Sequence, residues 1–257
     1  MPSPRIDAIT PVAPGTPMRW VEERNRTLAM NRASIGVIYI ADSETSRDLR
    51  RLSHVLPTTI IEDGRRNVAA LRNAALQASR AEFVGQFDAD DLHAPGAVDV
   101  LVKNLEDFPN SAAAFGHAVD VDEHDPTRIL HFPKDEAGLY SPHRLALARD
   151  ASRTSARPCG SYPMLGCAGI WRREWLQQHG GWSEEGGGRL YEENEMLLAA
   201  AAESPIVLSR VVSLLYRRHP QSLIHQAEPH QLQALDAKLS ELERRYRRTA
   251  KERSNRV

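Results

Sequence analysis

The chain has 257 residues, 41% hydrophobic and 26% charged, with 33 Lys and Arg against 34 Asp and Glu for a formal net charge of -1. This composition belongs to a folded globular chain and excludes wholesale disorder, and the charge balance gives no support to a general nucleic-acid binder. No apolar run approaches the ~20 residues that cross a bilayer, and Met1 to Thr10 lacks the basic and apolar regions of a secretory signal, so a cytoplasmic protein is the expectation.

In chain order, Arg5 to Thr10 reads as a strand, followed by the turn-rich Pro11 to Gly15 and a helix opened by Pro17, with Trp20, Val21, Leu28 and Ala29 at helical spacing. Ile35 to Ile40 is the clearest buried strand, rich in β-branched residues. It ends at Asp42-Ser43, ahead of a short helix carrying Leu49, Leu52 and Val55. Thr58 to Ile61 is a third strand, Asn67 to Ser79 a helix with an alanine-rich face, and Phe83 to Phe87 a fourth strand. Pro95 then opens a helix reaching Leu105. Such β-α alternation predicts an α/β fold with a mainly parallel sheet and helices on both faces. In open α/β sheets ligands bind beyond the carboxyl ends of the strands. Asp42 and the run Asp88-Ala89-Asp90-Asp91 both follow strand ends, so they should converge on one crevice.

The second half is less regular. Residues 112–133 read as two or three strands around a polar loop, Asp120 to Pro126, taken as a solvent turn. A helix is expected from Pro142 to Arg149, and Ser152 to Pro158 is the expected mobile loop. Helices follow near Arg172–His179 and Glu192–Ala202, the latter approached through Gly186-Gly187-Gly188, then strands near Ile206–Leu208 and Val211–Tyr216. Cys159 and Cys167 lack the spacing of a zinc site and are read as reduced packing thiols. From Pro229 onward the chain reads as one long helix with Leu232, Leu235, Leu239, Leu242 and Tyr246 as an apolar seam. Packing on its own domain is the favoured role for that seam, with homodimerisation or a surface contact as alternatives.

The strongest chemical feature is Asp88-Ala89-Asp90-Asp91 directly after an apolar strand. Clustered carboxylates repel one another, and a divalent cation relieves that repulsion; hard oxygen ligands suit Mg2+ or Mn2+. A cation held there could grip a diphosphate. A solvated turn capping the next helix is the alternative, and a calcium EF-hand loop does not fit the spacing.

The segment around Val84-Gly85-Gln86-Phe87-Asp88-Ala89-Asp90-Asp91 resembles the DxD segment of the GT-A glycosyltransferases of family 2. Upstream, Asn67 to Leu76 is similar to the family's N-x-G-x-x-x-A-R-N-x-G-L helix, with Val68 in place of a common glycine. Ile38 to Ser43 stands where the family has V-D-D-G-S, and Ile6 to Pro11 resembles its opening strand. Downstream, Gly166 to Glu174 followed by Gly180-Gly181-Trp182 is similar to the family's R-R-E…G-G-F-D segment, Glu192-Glu193-Asn194-Glu195 falls where E-D-x-D is usual, and Arg217 to Ser222 follows an R-x-H-x-x-S pattern. The likeness covers roughly residues 5 to 225.

This resemblance implies a glycosyltransferase domain over residues 1–225, with a nucleotide-sugar half near 1–110 and an acceptor half near 111–225, and a separate helix over 226–257. It implies an inverting hexosyl- or N-acetylhexosaminyl-transferase that uses a nucleoside-diphosphate sugar, with UDP preferred, and Mn2+ or Mg2+. Asp42, Thr10 and Pro11 would line the base pocket. Arg72 would reach the nucleotide or its phosphate. Asp88 would contact ribose or metal, with Ala89 beside it, and Asp90 would be the main metal ligand. His219 would be a further ligand, and Arg217 or Arg218 would neutralise phosphate. Glu193, where the family usually has aspartate, would be the general base, with Glu192 as the alternative. The implied acceptor is a hydroxyl or amine on a small molecule or peptide. A nucleotidyltransferase or retaining transferase on the same sheet, and a non-catalytic nucleotide-sugar-binding scaffold, are the rival readings.

Overall fold

Strand pleating sends alternate side chains to opposite faces, and the first strands obey it. In the strand Ile35–Ala41, Val37, Tyr39 and Ala41 join one apolar cluster while Ile38 and Ile40 join the other. A strand buried on both faces belongs inside a sheet covered by helices on each side. The computed structural model describes residues 5–131, 136–153, 161–185, 192–220 and 228–254.

The elements run β1 (Ile6–Pro11), α1 (Met18–Leu28), β2 (Ile35–Ala41), α2 (Ser43–Arg51), β3 (Thr58–Glu62), α3 (Val68–Ala78), β4 (Phe83–Gln86), β5 (Leu92–His93) and α4 (Ala97–Asp107). They continue with β6 (Ala113–Asp122), β7 (Ile129–His131), β8 (Gly138–Tyr140), α5 (Pro142–Ala151), β9 (Gly169–Arg172), α6 (Arg173–Gln178), α7 (Glu192–Glu203), β10 (Ile206–Arg218) and α8 (Pro229–Ser254). Among the described residues the strands form one ten-stranded sheet in the order β3-β2-β1-β4-β9-β6-β10-β5, with β7 added to β6 and β8 to β10.

The first four strands of that order are parallel, as the alternation predicts, and β6 and β10 are parallel to each other. Between these two parallel groups runs β9, antiparallel to both β4 and β6. Sequence reading placed only a helix there, because four residues leading straight into α6 carry no strand periodicity. The two late strands expected at Ile206–Leu208 and Val211–Tyr216 are one strand, β10, whose register with β6 slips between Leu208 and Leu214. The slip presses the Val211 carbonyl against Gly116, where a Cβ would lie 2.7 Å from it. Pro95 precedes rather than opens α4, which begins after Gly96 in a left-handed conformation. Val55 lies beyond α2 and is 56% exposed. Of the expected loop at 120–126, Asp120–Asp122 continue β6, and the turn begins after them, with Asp122 accepting from the backbone N–H groups of His124 and Asp125. Cys159, the glycine run 186–188 and most of the expected mobile loop lie outside the described residues.

The seam of α8 packs within the chain. Leu235, Leu239 and Leu242 are buried in the same cluster as α7 residues Met196, Leu197 and Leu198, with Leu232 and Tyr246 against it. A homodimer through this helix would therefore need its other faces. The helix is also tied electrostatically. Arg149 of α5, 1% exposed, donates to Glu243 at 2.7 Å, to Asp236 at 2.7 Å and to Ser240 at 3.1 Å. The Tyr162 hydroxyl donates to the same Glu243 carboxylate at 3.0 Å. No helix among the described residues is long and apolar enough to cross a membrane.

Candidate active site

The register of the parallel strands builds one rim. Pro11 of β1 lies opposite Ile40 of β2, and Ile9 lies opposite Gln86 of β4. Asp42 and Asp88 thus leave the sheet at the same carboxyl edge with only β1 between them, about 10 Å of sheet at ~4.8 Å per strand. Asp42 is the N-cap of α2, accepting from Thr45 N–H at 2.8 Å, and that bond lowers its pKa. Pro11 is half-buried at the strand end. Thr10 differs from expectation: the residue is fully buried, its side chain donating to the Phe87 carbonyl at 2.7 Å and accepting from Arg24. Arg24 is itself fully buried, and its hydrogen bonds go to neutral groups: Thr10, the Phe87 carbonyl at 3.1 Å, Asn25 and the Tyr39 hydroxyl. It fastens the ends of β1, β2 and β4 beneath the acidic turn.

In that turn, each carboxylate has a different neighbour. Asp88 accepts from Arg72 at 3.2 Å, and the same guanidinium donates to Glu192 at 2.9 Å. Arg72 is nearly enclosed, and although burial opposes its charge, Asp88, Glu192 and Glu193 outweigh burial and raise its pKa. Ala89 is buried. Asp90 Oδ2 accepts from His219 Nε2–H at 2.8 Å, and the His219 ring lies 5.0 Å from that of Trp20. Asp91 is buried, with one oxygen accepting from the Arg217 backbone N–H at 3.0 Å and the other without a partner. Burial, then Asp90 and Asp88, push its pKa well up. Donor atoms of Asp88, Asp91 and Cys167 all lie within 4.8 Å of one another.

These residues fit a divalent cation. Asp88 and Asp91 are both held above the usual carboxylate range by burial, and the negative charges of the turn reinforce one another. An added cation relieves that stress, and the carboxylate oxygens of the turn suit Mn2+ or Mg2+. Of the residues expected as ligands, Asp90 and His219 pair with each other, while Asp88 lies with Asp91 and Cys167, which the spacing did not single out as ligands. Two arginines depart from expectation. The Arg217 side chain is enclosed, bonding the Asp90 carbonyl at 2.8 Å, the Glu123 carbonyl and the Glu23 carboxylate. Arg218 pairs with Asp120 at 2.5 Å. Both therefore brace the turn and the strand instead of opening onto a phosphate.

Glu192 and Glu193, adjacent at the head of α7, have separate fates. Glu192 is buried in its ion pair with Arg72. Glu193 has no such pair; its Oε2 accepts from Gln86 Nε2–H at 3.0 Å, over Gly166, where a Cβ would collide with it. Burial, then the Glu192 charge, push the Glu193 carboxyl up to about 7. A proton acceptor working near neutrality needs such a value. Gln86 and Trp182, whose indole N–H donates to Gln86 at 3.0 Å, are site residues that the motifs did not reveal.

A mixed sheet, largely parallel, with acids from strand tips on one rim and an acidic helix start tied to them by Arg72, defines an α/β fold with a polar crevice at the carboxyl ends of its strands. The glycosyl transferase family 2 model matches residues 27–179, more than half of the chain, and the chain belongs to that family. Among solved structures, S. aureus TarS 1-349 in complex with UDP-GlcNAc superposes with a TM-score of 0.63 at 15% identity, covering 91% of this chain and 66% of that one. The UDP complex of the same protein gives 0.59 at 16% identity, covering 91% and 65%. The mannosyltransferase PcManGT from Pyrobaculum calidifontis, in complex with GDP-Man and Mn2+, gives 0.61 at 18% identity, covering 97% and 74%. The chain thus spans about two thirds of the TarS fragment. At these identities the likeness is one of fold, the GT-A fold. A comparison with curated proteins gives no match.

Proposed function

We propose that the chain is a metal-dependent, inverting glycosyltransferase that moves a sugar from a nucleoside-diphosphate sugar, of the UDP class, to a hydroxyl or amine acceptor. The observation that carries this reading is the bridge by Arg72 between Asp88 of the acidic turn and Glu192 of α7, which sets Glu193 across from the carboxylates. The nucleotide sugars held by TarS and PcManGT, and the Mn2+ of the latter, support it.

In this reading Asp42 and the end of β1 receive the base. Asp90 and His219, with Asp88, would hold Mn2+ or Mg2+. Bound there, the cation would neutralise charge on the leaving diphosphate. Glu193 takes the proton of the acceptor as its oxygen or nitrogen attacks the anomeric carbon. The bond from that carbon to the diphosphate breaks as the new bond forms, and the electron pair leaves with the nucleoside diphosphate. Attack from the face opposite the leaving group inverts the anomeric centre. Arg72 fixes the distance between the two halves of the site.

The test is transfer or donor hydrolysis with UDP-sugars in the presence of Mn2+, with the product anomer read by NMR. Wild type is expected to give the inverted product, and Asp90→Ala and Glu193→Gln to lose it. Full activity in both variants overturns the assignment.

A further inference from the structure

Gln86 ends β4 with a side chain that is almost wholly buried between two partners. On one side, the Trp182 indole N–H donates to its Oε1 at 3.0 Å. On the other, its Nε2–H donates to Glu193 Oε2 at 3.0 Å. An indole N–H only donates, so the amide oxygen must face Trp182 and the amide nitrogen must face Glu193. Trp182 is anchored in turn by the Asn73 side chain, which accepts from its backbone N–H at 2.8 Å and donates to its carbonyl at 2.9 Å. Opposite the carboxylate, Gly166 leaves the space that a Cβ would fill, 2.9 Å from Gln86 Nε2.

We propose that Trp182 and Gln86 are positioning residues that aim the Glu193 carboxylate, the indole deciding which end of the amide meets it. This rests on the reading of Glu193 as base. Glutamate has one more rotatable bond than aspartate, and a fixed donor at Oε2 removes that freedom and leaves Oε1 for the acceptor proton. The charged and titratable groups facing Glu193 are Glu192 on its own helix, Arg72 from α3, Asp88 from the turn after β4 and Cys167 from the turn before β9. Against burial and Glu192, the charge of Arg72 and the Gln86 bond are what keep the carboxyl ionisable near neutrality.

The experiment compares Trp182→Phe, which keeps an aromatic ring and deletes the N–H, and Gln86→Met, each alone and with Glu193→Gln. Release of UDP from UDP-GlcNAc with Mn2+ gives kcat, calorimetry gives UDP affinity, and 13C NMR of the glutamate carboxyls gives the Glu193 midpoint. Both single variants are expected to lower kcat about 10- to 100-fold, to keep UDP affinity and to move the midpoint upward, with no further loss from Gln86→Met in the Glu193→Gln background. An unmoved midpoint, or the same loss from Gln86→Met in both backgrounds, overturns the proposal. Full activity of Glu193→Gln removes the base reading and the proposal with it. Where wild type releases no UDP, the midpoint alone decides.

Discussion

The Arg72 guanidinium lies 3.2 Å from Asp88, 16 positions along the sequence, and 2.9 Å from Glu192, 120 positions along, so one buried cation ties the turn after β4 to the head of α7. Arg72→Met removes the buried cation that bridges Asp88 and Glu192. Urea unfolding should show a loss of about 3–5 kcal/mol, the range for breaking a buried pair from one side. Arg72→Lys should recover only part of this, because a single ammonium cannot reproduce a planar fork.

On the proposed role of Glu193 as base, its carboxyl sets the pH dependence. With its pKa at about 7, kcat/KM should rise with pH through neutrality, since the base must be deprotonated. Glu193→Gln should lower kcat by roughly 10²–10⁴-fold. The effect on stability has the opposite direction. The folded pKa lies above the unfolded one, so the folded state binds the proton more tightly, and this contribution fades as pH climbs from the unfolded pKa toward 7. Glu193→Gln should therefore be the more stable protein in mild alkali by on the order of 1–3 kcal/mol, an advantage that shrinks in acid. Thermal melts across pH check both signs.

Gly166 leaves room for that carboxylate. Gly166→Ala should displace Glu193 and Gln86 and lower turnover at least about tenfold while UDP affinity is kept. Gly64, where an added Cβ meets nothing within 4 Å, provides the control. Gly64→Ala should stay within about 0.5 kcal/mol of wild type in stability.

Cation and nucleotide binding should be coupled. Either ligand alone near 100 times its Kd should raise the apparent stability by about 2.7 kcal/mol, and the two together by more than the sum. Asp90→Ala should lose the Mn2+-dependent part of the Tm shift. The same shift in wild type with and without Mn2+ would place the cation elsewhere.

Arg149→Ala should destabilise the chain by about 3–5 kcal/mol by stranding Glu243. The pair Arg149→Met with Glu243→Leu should recover most of it, and denaturation of the two variants against wild type measures the difference.

Much of the first half was legible because each buried strand is short, β-branched and closed by an acidic or turn residue, as at Ile35–Ala41 with Asp42. The family motifs then brought Asp88, Asp90, Arg72 and Glu193 to one crevice. The resemblance set Glu193 ahead of Glu192, but the partner of each was not legible, since Arg72 and Gln86 lie more than a hundred positions away. Nor was the fate of Thr10 or Arg217. Both look like rim residues in sequence, and both are turned inward by partners, Phe87 and Glu123 among them, that only the folded sheet supplies.

The ties from Arg149 and Tyr162 to Glu243 reach across 94 and 81 positions. The acidic turn and its four parallel strands need none of them. The segment at Tyr162, just ahead of Gly166, is thus latched from α8, so the rigidity of this side of the crevice is inherited from how that distant helix packs.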